Sequence, residues 1–274
     1  MADGFLTEHA PIPGYEVVRC LGRNGAIIYL ARQLSSGKQV ALKVCDPWPE
    51  FAESVQRHAT LLARLDHPNI LRVFEIGEVE GRVFVAMEYV GGRTLADRFR
   101  EGPLPAPEAA SLTRTIALTL EYARDRGVIY IELTPGSILL TDEGAPKLSD
   151  IQLTEVVEHW PDDHGPSDTV APVAFLAPED LTSERPIVSP TTDVYRLGAV
   201  MYAMLTGQPP FAGAIGDIVR AVLERPPKPP REMNAAVSRA VEAVCLKCLE
   251  KRPERRYASL RELADDLGRP MKTG

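Results

Sequence analysis

Residues 38–45 read KQVALKVC, an apolar run interrupted by one lysine, Lys43. A short run of this kind, bounded by turn residues, predicts a β-strand. Four similar segments lie in the same third of the chain: 15–22 (YEVVRCLG), 26–32 (AIIYLAR), 71–80 (LRVFEIGEVE) and 82–90 (RVFVAMEYV). Glycine-containing turns such as Ser36-Gly37 and Glu80-Gly81 separate them. The pattern predicts five antiparallel strands.

One helical pattern interrupts the strands. Between Phe51 and Leu65, apolar residues at Val55, Ala59, Leu62 and Leu65 recur every three or four positions. This spacing is typical of a helix with one apolar face. The first part of the chain is therefore predicted to be a small lobe of strands with one helix.

After Gly91-Gly92 the pattern becomes mainly helical. Helices are predicted at about 107–126, 193–206, 214–224, 234–250 and 259–267. Residues 128–150 contain the short apolar runs VIYIEL, SILL and PKLSD, which predict a small hairpin with loops at its ends. The second lobe is thus predicted to be larger and mostly helical.

The composition excludes several classes of protein. The 274 residues are 45% hydrophobic and 25% charged, which is typical of a globular chain. Lys and Arg total 31 against 38 Asp and Glu, and the resulting charge of −7 disfavours nucleic acid or anionic lipid as a partner. No stretch reaches the roughly 18 apolar residues of a membrane helix, and the N-terminus lacks a secretion signal pattern. We expect no membrane association and a cytoplasmic location.

Two local patterns each have two interpretations. Cys245 and Cys248 have the spacing of half a zinc site, but their apolar helical context favours buried, reduced thiols. Residues 225–231 read RPPKPPR, which is either a surface connector between two helices or a proline-motif ligand. Because the segment joins helices inside the domain, we expect a connector.

A set of motifs in a fixed order identifies a family. VALK at 40–43, HPNI at 67–70, Asp150 after KLS, and APE at 177–179 are followed by two further stretches, TDVYRLG at 192–198 and KRPERR at 251–256. In this order and spacing the chain resembles bacterial serine/threonine protein kinases of the eukaryotic-like type.

The resemblance implies an α+β, bilobal protein-kinase-like fold. Its small antiparallel β lobe would contain one main helix, and its second lobe would be larger and helical. The domain would span 15–268, with the small lobe at 15–90 and the helical lobe at 91–268. Residues 1–14 and 269–274 would be tails.

The resemblance also implies a nucleotide site. Gly22 and Gly25 match two of the three glycines that let backbone amides approach phosphate, whereas Ala26 replaces the third. The residues expected to contact the adenine are Ile28, Ala41 and Leu139, beneath a hinge formed by Glu88, Tyr89 and Val90, with Met87 as gatekeeper.

Lys43 matches the strand lysine that contacts the α- and β-phosphates. In active kinases that lysine pairs with a glutamate on the helix of the first lobe, but His58 occupies the matching position here. A neutral His58 would accept a hydrogen bond from Lys43, whereas a protonated one would repel it.

The catalytic segment departs from the family pattern at several positions. The family reads His-Arg-Asp-Leu-Lys-Pro-x-Asn, and residues 130–137 read YIELTPGS. Glu132 keeps a carboxylate at the base position with an additional methylene. Thr134 lacks the cation that faces the γ-phosphate, and Ser137 replaces the asparagine that binds the metal. Ile131 replaces the arginine that pairs with activation-loop phosphate.

The second metal-binding motif is partly kept. Residues 150–152 read Asp-Ile-Gln where the family has Asp-Phe-Gly, so Asp150 is expected to hold one Mg²⁺ weakly.

Other retained residues are architectural. By resemblance, Glu179 and Arg255 form a buried ion pair, and Asp193 holds the backbone of the catalytic loop.

The pattern of losses leads to three hypotheses. The first is a pseudokinase with a regulatory or scaffolding role and an unidentified protein partner. The second is an atypical active serine/threonine kinase that uses Glu132 as the base. The third, which overlaps the first, is a switch in which ATP binds through Lys43 and Asp150 without being hydrolysed.

Overall fold

In the computed structural model the residues described are 12–23, 26–45, 56, 59–128, 133–149, 173–183 and 189–269. They form two compact units, with the chain passing from the first to the second between Gly91 and Gly92. Each unit is described by itself.

The first unit is a five-stranded antiparallel sheet in the order β1-β2-β3-β5-β4. The strands are β1 (Tyr15–Arg23), β2 (Ala26–Gln33), β3 (Gln39–Cys45), β4 (Val73–Val79) and β5 (Arg82–Glu88). The predicted five strands are therefore confirmed.

One face of this sheet is covered by an apolar cluster. Its buried members are Ile12, Tyr15, Tyr29, Ala31, Val40, Leu42, Val44, Phe84 and Ala86. Tyr15 packs edge-on against Phe84, with ring centroids 6.1 Å apart. The Tyr15 hydroxyl donates to Glu75 Oε2 at 2.5 Å, and burial together with this carboxylate raises the pKa of Tyr15 to about 12.

The helix predicted at 51–65 lies only partly within the described residues, of which Gln56 and residues 59–62 are helical. Ala59, Leu62 and Leu65 are all buried, with at most 5% of their surface exposed. The predicted apolar face is thus confirmed where it is described.

The second unit contains a small sheet and most of the helices. Strands β6 (Arg93–Thr94), β7 (Ile138–Leu140) and β8 (Pro146–Leu148) pair antiparallel in that order. The helices are α1 (Leu95–Phe99), α2 (Ala106–Arg124), α3 (Pro190–Thr206), α4 (Ile215–Glu224), α5 (Pro230–Met233), α6 (Arg239–Cys248) and α7 (Leu260–Leu267).

Gly92 is required by the packing of β6 on β7. A Cβ at this position would lie 1.7 Å from the carbonyl oxygen of Leu140, so only glycine allows the two backbones to approach this closely.

Two helix boundaries differ from the prediction. The helix predicted from 193 begins at Pro190, because proline is favoured in the first turn. The helix predicted from 234 begins only at Arg239, where the Ser238 hydroxyl accepts from Val241 N at 3.3 Å. Asn234 instead donates through its side chain to the carbonyl oxygen of Leu205 at 2.9 Å, which holds residue 234 outside the helix.

Cys245 and Cys248 are fully buried on α6, as predicted for packed thiols. A Cβ on Gly198 of α3 would lie 2.4 Å from Cys248 Cβ, which shows how closely the two helices approach. Desolvation raises the pKa of both thiols, with the neighbouring Cys248 adding to the shift at Cys245. Within the described ranges, no cluster of three metal-ligating side chains includes them.

No helix in the described parts of the chain is long and apolar enough to cross a membrane.

Candidate active site

The predicted nucleotide residues of the first unit lie on one face of its sheet. In the register of the strands, Lys43 is opposite Ile28 on β2 and Val85 on β5. Gly22 of β1 is in turn opposite Ile28. Because side chains directly opposite in an antiparallel sheet project to the same side, these positions form one row across four strands.

A second row runs beside the first. Ala41 is opposite Leu30 on β2 and Met87 on β5, and it lies two residues from Lys43 on β3. Since residues i and i+2 of a strand share a face, Ala41 and Met87 lie on the same side as Lys43. The sheet thus brings together Ile28, Ala41, Lys43 and the predicted gatekeeper.

Lys43 is almost completely buried, with 3% of its surface exposed. An ammonium group loses its hydration at such a position and requires polar or anionic groups around it. The alternative of an ordinary solvated strand lysine does not fit this burial. The position suits a cation that neutralises a bound phosphate.

Gly22 is not required by the fold. A Cβ built on it would meet no atom within 4 Å, and its φ lies outside the left-handed region. Because neither packing nor backbone geometry demands glycine, close approach of a ligand to the backbone remains a physical reason for it. Ala26, at the other end of the loop, is 5% exposed.

The predicted hinge begins at the last residue of β5, Glu88. Glu88 donates its backbone N–H to the carbonyl oxygen of Arg72 at 2.8 Å, and its Oε2 accepts from Arg72 N at 3.4 Å. Glu88, Tyr89 and Val90 are all half-buried. The main chain at 88 is thus tied to residue 72, while 89 and 90 remain partly open to solvent.

In the second unit, residues Thr134 to Ser137 form a closed turn. Pro135–Ser137 is one turn of 3₁₀-helix, and the buried Ser137 reaches back to Thr134. The Ser137 hydroxyl donates to the carbonyl oxygen of Thr134 at 2.8 Å and accepts from Thr134 N at 3.0 Å. The Ser137 carbonyl accepts from both Ser149 N at 2.9 Å and Ser149 Oγ at 3.0 Å.

Leu139 projects from the opposite side of β7 to its neighbours. Ile138 and Leu140 are buried in the core, at 0% and 6% exposure, whereas Leu139 is half-buried. On its own side, Leu139 is opposite Thr94 and Lys147. Part of its apolar surface is open to solvent, and its assignment as an adenine contact stays a prediction.

The prediction that Glu179 pairs with Arg255 is wrong by one residue. Arg256 makes this pair, with Nη1–Oε1 at 2.6 Å and Nη2–Oε2 at 2.9 Å, whereas Arg255 is exposed. Burial opposes ionisation of Glu179, but hydrogen bonds from Arg256 and Thr192 outweigh it and lower the pKa of the carboxyl.

Asp193 lies in a buried network of charges. It pairs with Arg124 of α2 and, at 3.3 Å, with Arg196 one turn along α3. Arg196 also binds Asp180 through Nη2–Oδ1 at 2.6 Å and Nε–Oδ2 at 3.0 Å. Burial raises the pKa of Asp193 despite the two arginines.

Sequence reasoning did not identify Arg124, Asp180 or Arg196 in this network. The i, i+3 spacing of Asp193 and Arg196 on a helix was the available signal. The predicted contact of Asp193 with the catalytic-loop backbone involves a loop whose residues 129–132 lie outside those described, so it stays a prediction.

Several other predicted site residues lie outside the described residues: Gly25, His58, Tyr130, Ile131, Glu132, Asp150, Ile151 and Gln152. Their assignments therefore rest on the sequence alone.

A family model described as the protein kinase domain matches residues 15–266. The chain belongs to the protein kinase family. The small antiparallel β lobe and the helical lobe predicted from the sequence are the two lobes of this fold.

Comparison with individual proteins places the chain near bacterial serine/threonine kinases. It is 31% identical to a Clostridium perfringens protein named as a probable serine/threonine-protein kinase, over 94% of this chain and 38% of that one. It is 32% identical to the serine/threonine-protein kinase PknB of Mycobacterium tuberculosis, over 93% of this chain and 42% of PknB. The chain thus spans about two fifths of the length of these relatives.

Among solved structures, the chain is similar to the kinase domain of Mycobacterium tuberculosis PknI. The TM-score is 0.73 at 27% identity, and the match covers 94% of this chain and 96% of that domain.

Proposed function

We propose that this protein kinase domain is a pseudokinase, a regulatory or scaffolding protein that binds a nucleotide but does not transfer its phosphoryl group efficiently. The observation that carries this proposal is the closed turn at Ser137. The hydroxyl at the position of the metal-binding asparagine is hydrogen bonded to both backbone groups of Thr134.

The Ser137 position does not fit a magnesium ligand. Mg²⁺ requires oxygen ligands in a near-octahedral arrangement and gives up its water reluctantly. Ser137 offers a neutral hydroxyl on a short side chain that is 3% exposed and already bonded within its own turn. Asp150 is left as the carboxylate that would hold a single ion.

The residues of the first unit fit a nucleotide better than they fit catalysis. Lys43 is a buried cation in the same row as Gly22 and Ile28. ATP, when bound, supplies a triphosphate whose negative charge this lysine would neutralise, while Ala41 would contact its base.

The remaining losses reduce transition-state stabilisation. A kinase transfers phosphate mainly by positioning and by neutralising charge. Thr134 brings no cation to the γ-phosphate, and Ser137 brings no metal ligand. Glu132 is a longer carboxylate at the base position, but base catalysis contributes only about 10² to 10⁴ in rate, so the missing charges weigh more.

A thermal-shift titration tests nucleotide binding. ATP at about ten times its Kd should stabilise the folded chain by about 1.4 kcal/mol and raise the melting temperature, with little further change on adding Mg²⁺. Lys43→Met should abolish the shift, because it keeps the apolar stem and removes the cation. The matched control is Lys38→Ala, at an exposed lysine two residues before Val40. This variant should show the same shift in melting temperature as the unmodified chain. No shift of the unmodified chain at millimolar ATP would refute nucleotide binding.

Phosphotransfer is tested separately with labelled ATP and either Mg²⁺ or Mn²⁺. We expect no incorporation above that of Lys43→Met. Autophosphorylation that is lost in both Lys43→Ala and Glu132→Ala variants would overturn the assignment as a pseudokinase.

The second candidate is an atypical active serine/threonine kinase with Glu132 as base. The observation in its favour is the identity of 31–32% to proteins named as such kinases. Turnover above that of Asp150→Ala would support it, and turnover equal to that variant would exclude it.

A further inference from the structure

Residues 225–231, RPPKPPR, join α4 to α5 and contain four prolines. Proline fixes φ near −65° and pushes the residue before it into the extended region. Arg225 has φ −105° and ψ 137°, and Pro229 has φ −56° and ψ 130°. Residues 225–229 are thus held near the polyproline II conformation.

The exposure of this segment repeats every three residues, as polyproline II requires. Pro227 and Pro230 form one ridge, half-buried and buried respectively. Pro226 and Pro229 form a second ridge, exposed and half-buried. The third ridge carries Arg225 and Lys228, and both are exposed.

Helix geometry explains only part of this composition. Pro226 lies two residues after the end of α4, and Pro230 occupies the first position of α5, both of which are structural positions for proline. Neither requires the two cations. Among the described residues, no ion pair joins Arg225 or Lys228 to a carboxylate.

We propose that residues 225–229 are a docking ligand for an SH3-type domain of a partner protein. An aromatic-lined groove would receive the ridge of Pro226 and Pro229, and carboxylates beside the groove would face Arg225 and Lys228. The ridge of Pro227 and Pro230 stays packed on the kinase domain. Two prolines and two cations on adjacent ridges of a preformed helix are the features that such grooves recognise, and an acidic groove complements a basic segment on a chain of charge −7.

The preformed conformation lowers the entropy lost on docking, because the prolines have already restricted the backbone. The docking does not depend on nucleotide binding, so its test is independent of the proposed function.

The test is a titration of the whole chain with a purified SH3 domain that has acidic residues beside its groove, followed by calorimetry at low salt. We expect saturable binding with micromolar Kd that weakens as salt is added, because the charged contacts are exposed. Pro226→Ala combined with Pro229→Ala should weaken binding at least about 10-fold, and Lys228→Glu should do the same.

The matched controls are Pro253→Ala and Arg252→Glu, an exposed Arg-Pro pair outside any proline repeat. Both should bind like the unmodified chain, and circular dichroism confirms that each variant is folded. Since Lys228→Glu changes an exposed side chain, it tests the docking even if the proline variants lose stability. No saturable binding up to about 1 mM domain, or equal binding by Lys228→Glu and Arg252→Glu, would refute the docking.

Discussion

All five N–H donors of Arg256 are hydrogen bonded, and two of them go to Glu179. Nη1 donates to one oxygen of that carboxylate and to the backbone carbonyl of Thr191. Nη2 donates to the other carboxylate oxygen and to the backbone carbonyl of Lys251. Nε donates to the carbonyl of Glu250 at 2.7 Å. The guanidinium therefore ties three separate segments of the second unit together.

Replacing Arg256 should destabilise the fold strongly. Arg256→Ala removes the cation but leaves the Glu179 carboxylate with a side chain only 16% exposed. We expect the free energy of unfolding in urea to fall by about 3 to 5 kcal/mol, as for other broken buried pairs. The control is Arg255→Ala at the adjacent exposed position, where a change within about 0.5 kcal/mol is expected. Equal losses in the two variants would show that the ion pair is not the cause.

Lys251 should make stability depend on alkaline pH. Its Nζ donates to the carbonyl of Val222 at 2.7 Å, and burial and then the nearby Arg256 lower the pKa of Lys251 to about 8. Between this value and its ordinary 10.5, the unfolded chain holds the proton that the folded chain has lost. The free energy of unfolding of the unmodified chain minus that of Lys251→Met should therefore increase as pH rises through this window. Urea titrations of both proteins at several pH values measure the difference, and a constant or falling difference would contradict the shift.

Gly22 should matter for ligand binding and not for folding. Gly22→Val adds side-chain atoms where a Cβ meets nothing within 4 Å, so the melting temperature without ligand should stay unchanged. If phosphate approaches this backbone, affinity for ATP should fall at least about 10-fold.

Gly198→Ala is the contrasting change. Its Cβ would lie 2.4 Å from Cys248 Cβ, so we expect a loss of about 1 to 3 kcal/mol in unfolding free energy from overpacking. Unchanged ATP affinity in Gly22→Val would remove the ligand-based reason for glycine at position 22.

Ser137 should behave as a structural residue. Ser137→Ala removes both hydrogen bonds to Thr134 and leaves the half-buried backbone groups of Thr134 with fewer partners. Unfolding free energy should decrease by about 1 to 3 kcal/mol. The rise in melting temperature caused by ATP is measured with and without Mg²⁺. The ratio of these two rises should be the same in Ser137→Ala as in the unmodified chain. A shift that required Mg²⁺ in the unmodified chain and lost that requirement in Ser137→Ala would identify Ser137 as a metal ligand.

Much of the fold could be predicted because its signals are local. The five strands follow from short apolar segments separated by turn glycines, and α2, α4 and α7 follow from apolar residues at helical spacing. The start of α6 at Arg239 was missed although the Ser238 cap is a local signal, whereas the hydrogen bond that holds Asn234 outside the helix is to Leu205, 29 residues away. A local pattern has no access to such a contact.

The sequence by itself determined the family, through motifs in a fixed order, and the replacements at 130–137 on which the proposal of a pseudokinase depends. Only the tertiary structure decided which arginine pairs with Glu179, since Arg255 and Arg256 are equivalent in sequence and differ in which side chain turns inward. It also decided that Arg124 and Arg196 are partners of Asp193. The physical reason is that the partner of a buried charge is set by segments distant in sequence, whereas strand and helix patterns are set by near neighbours.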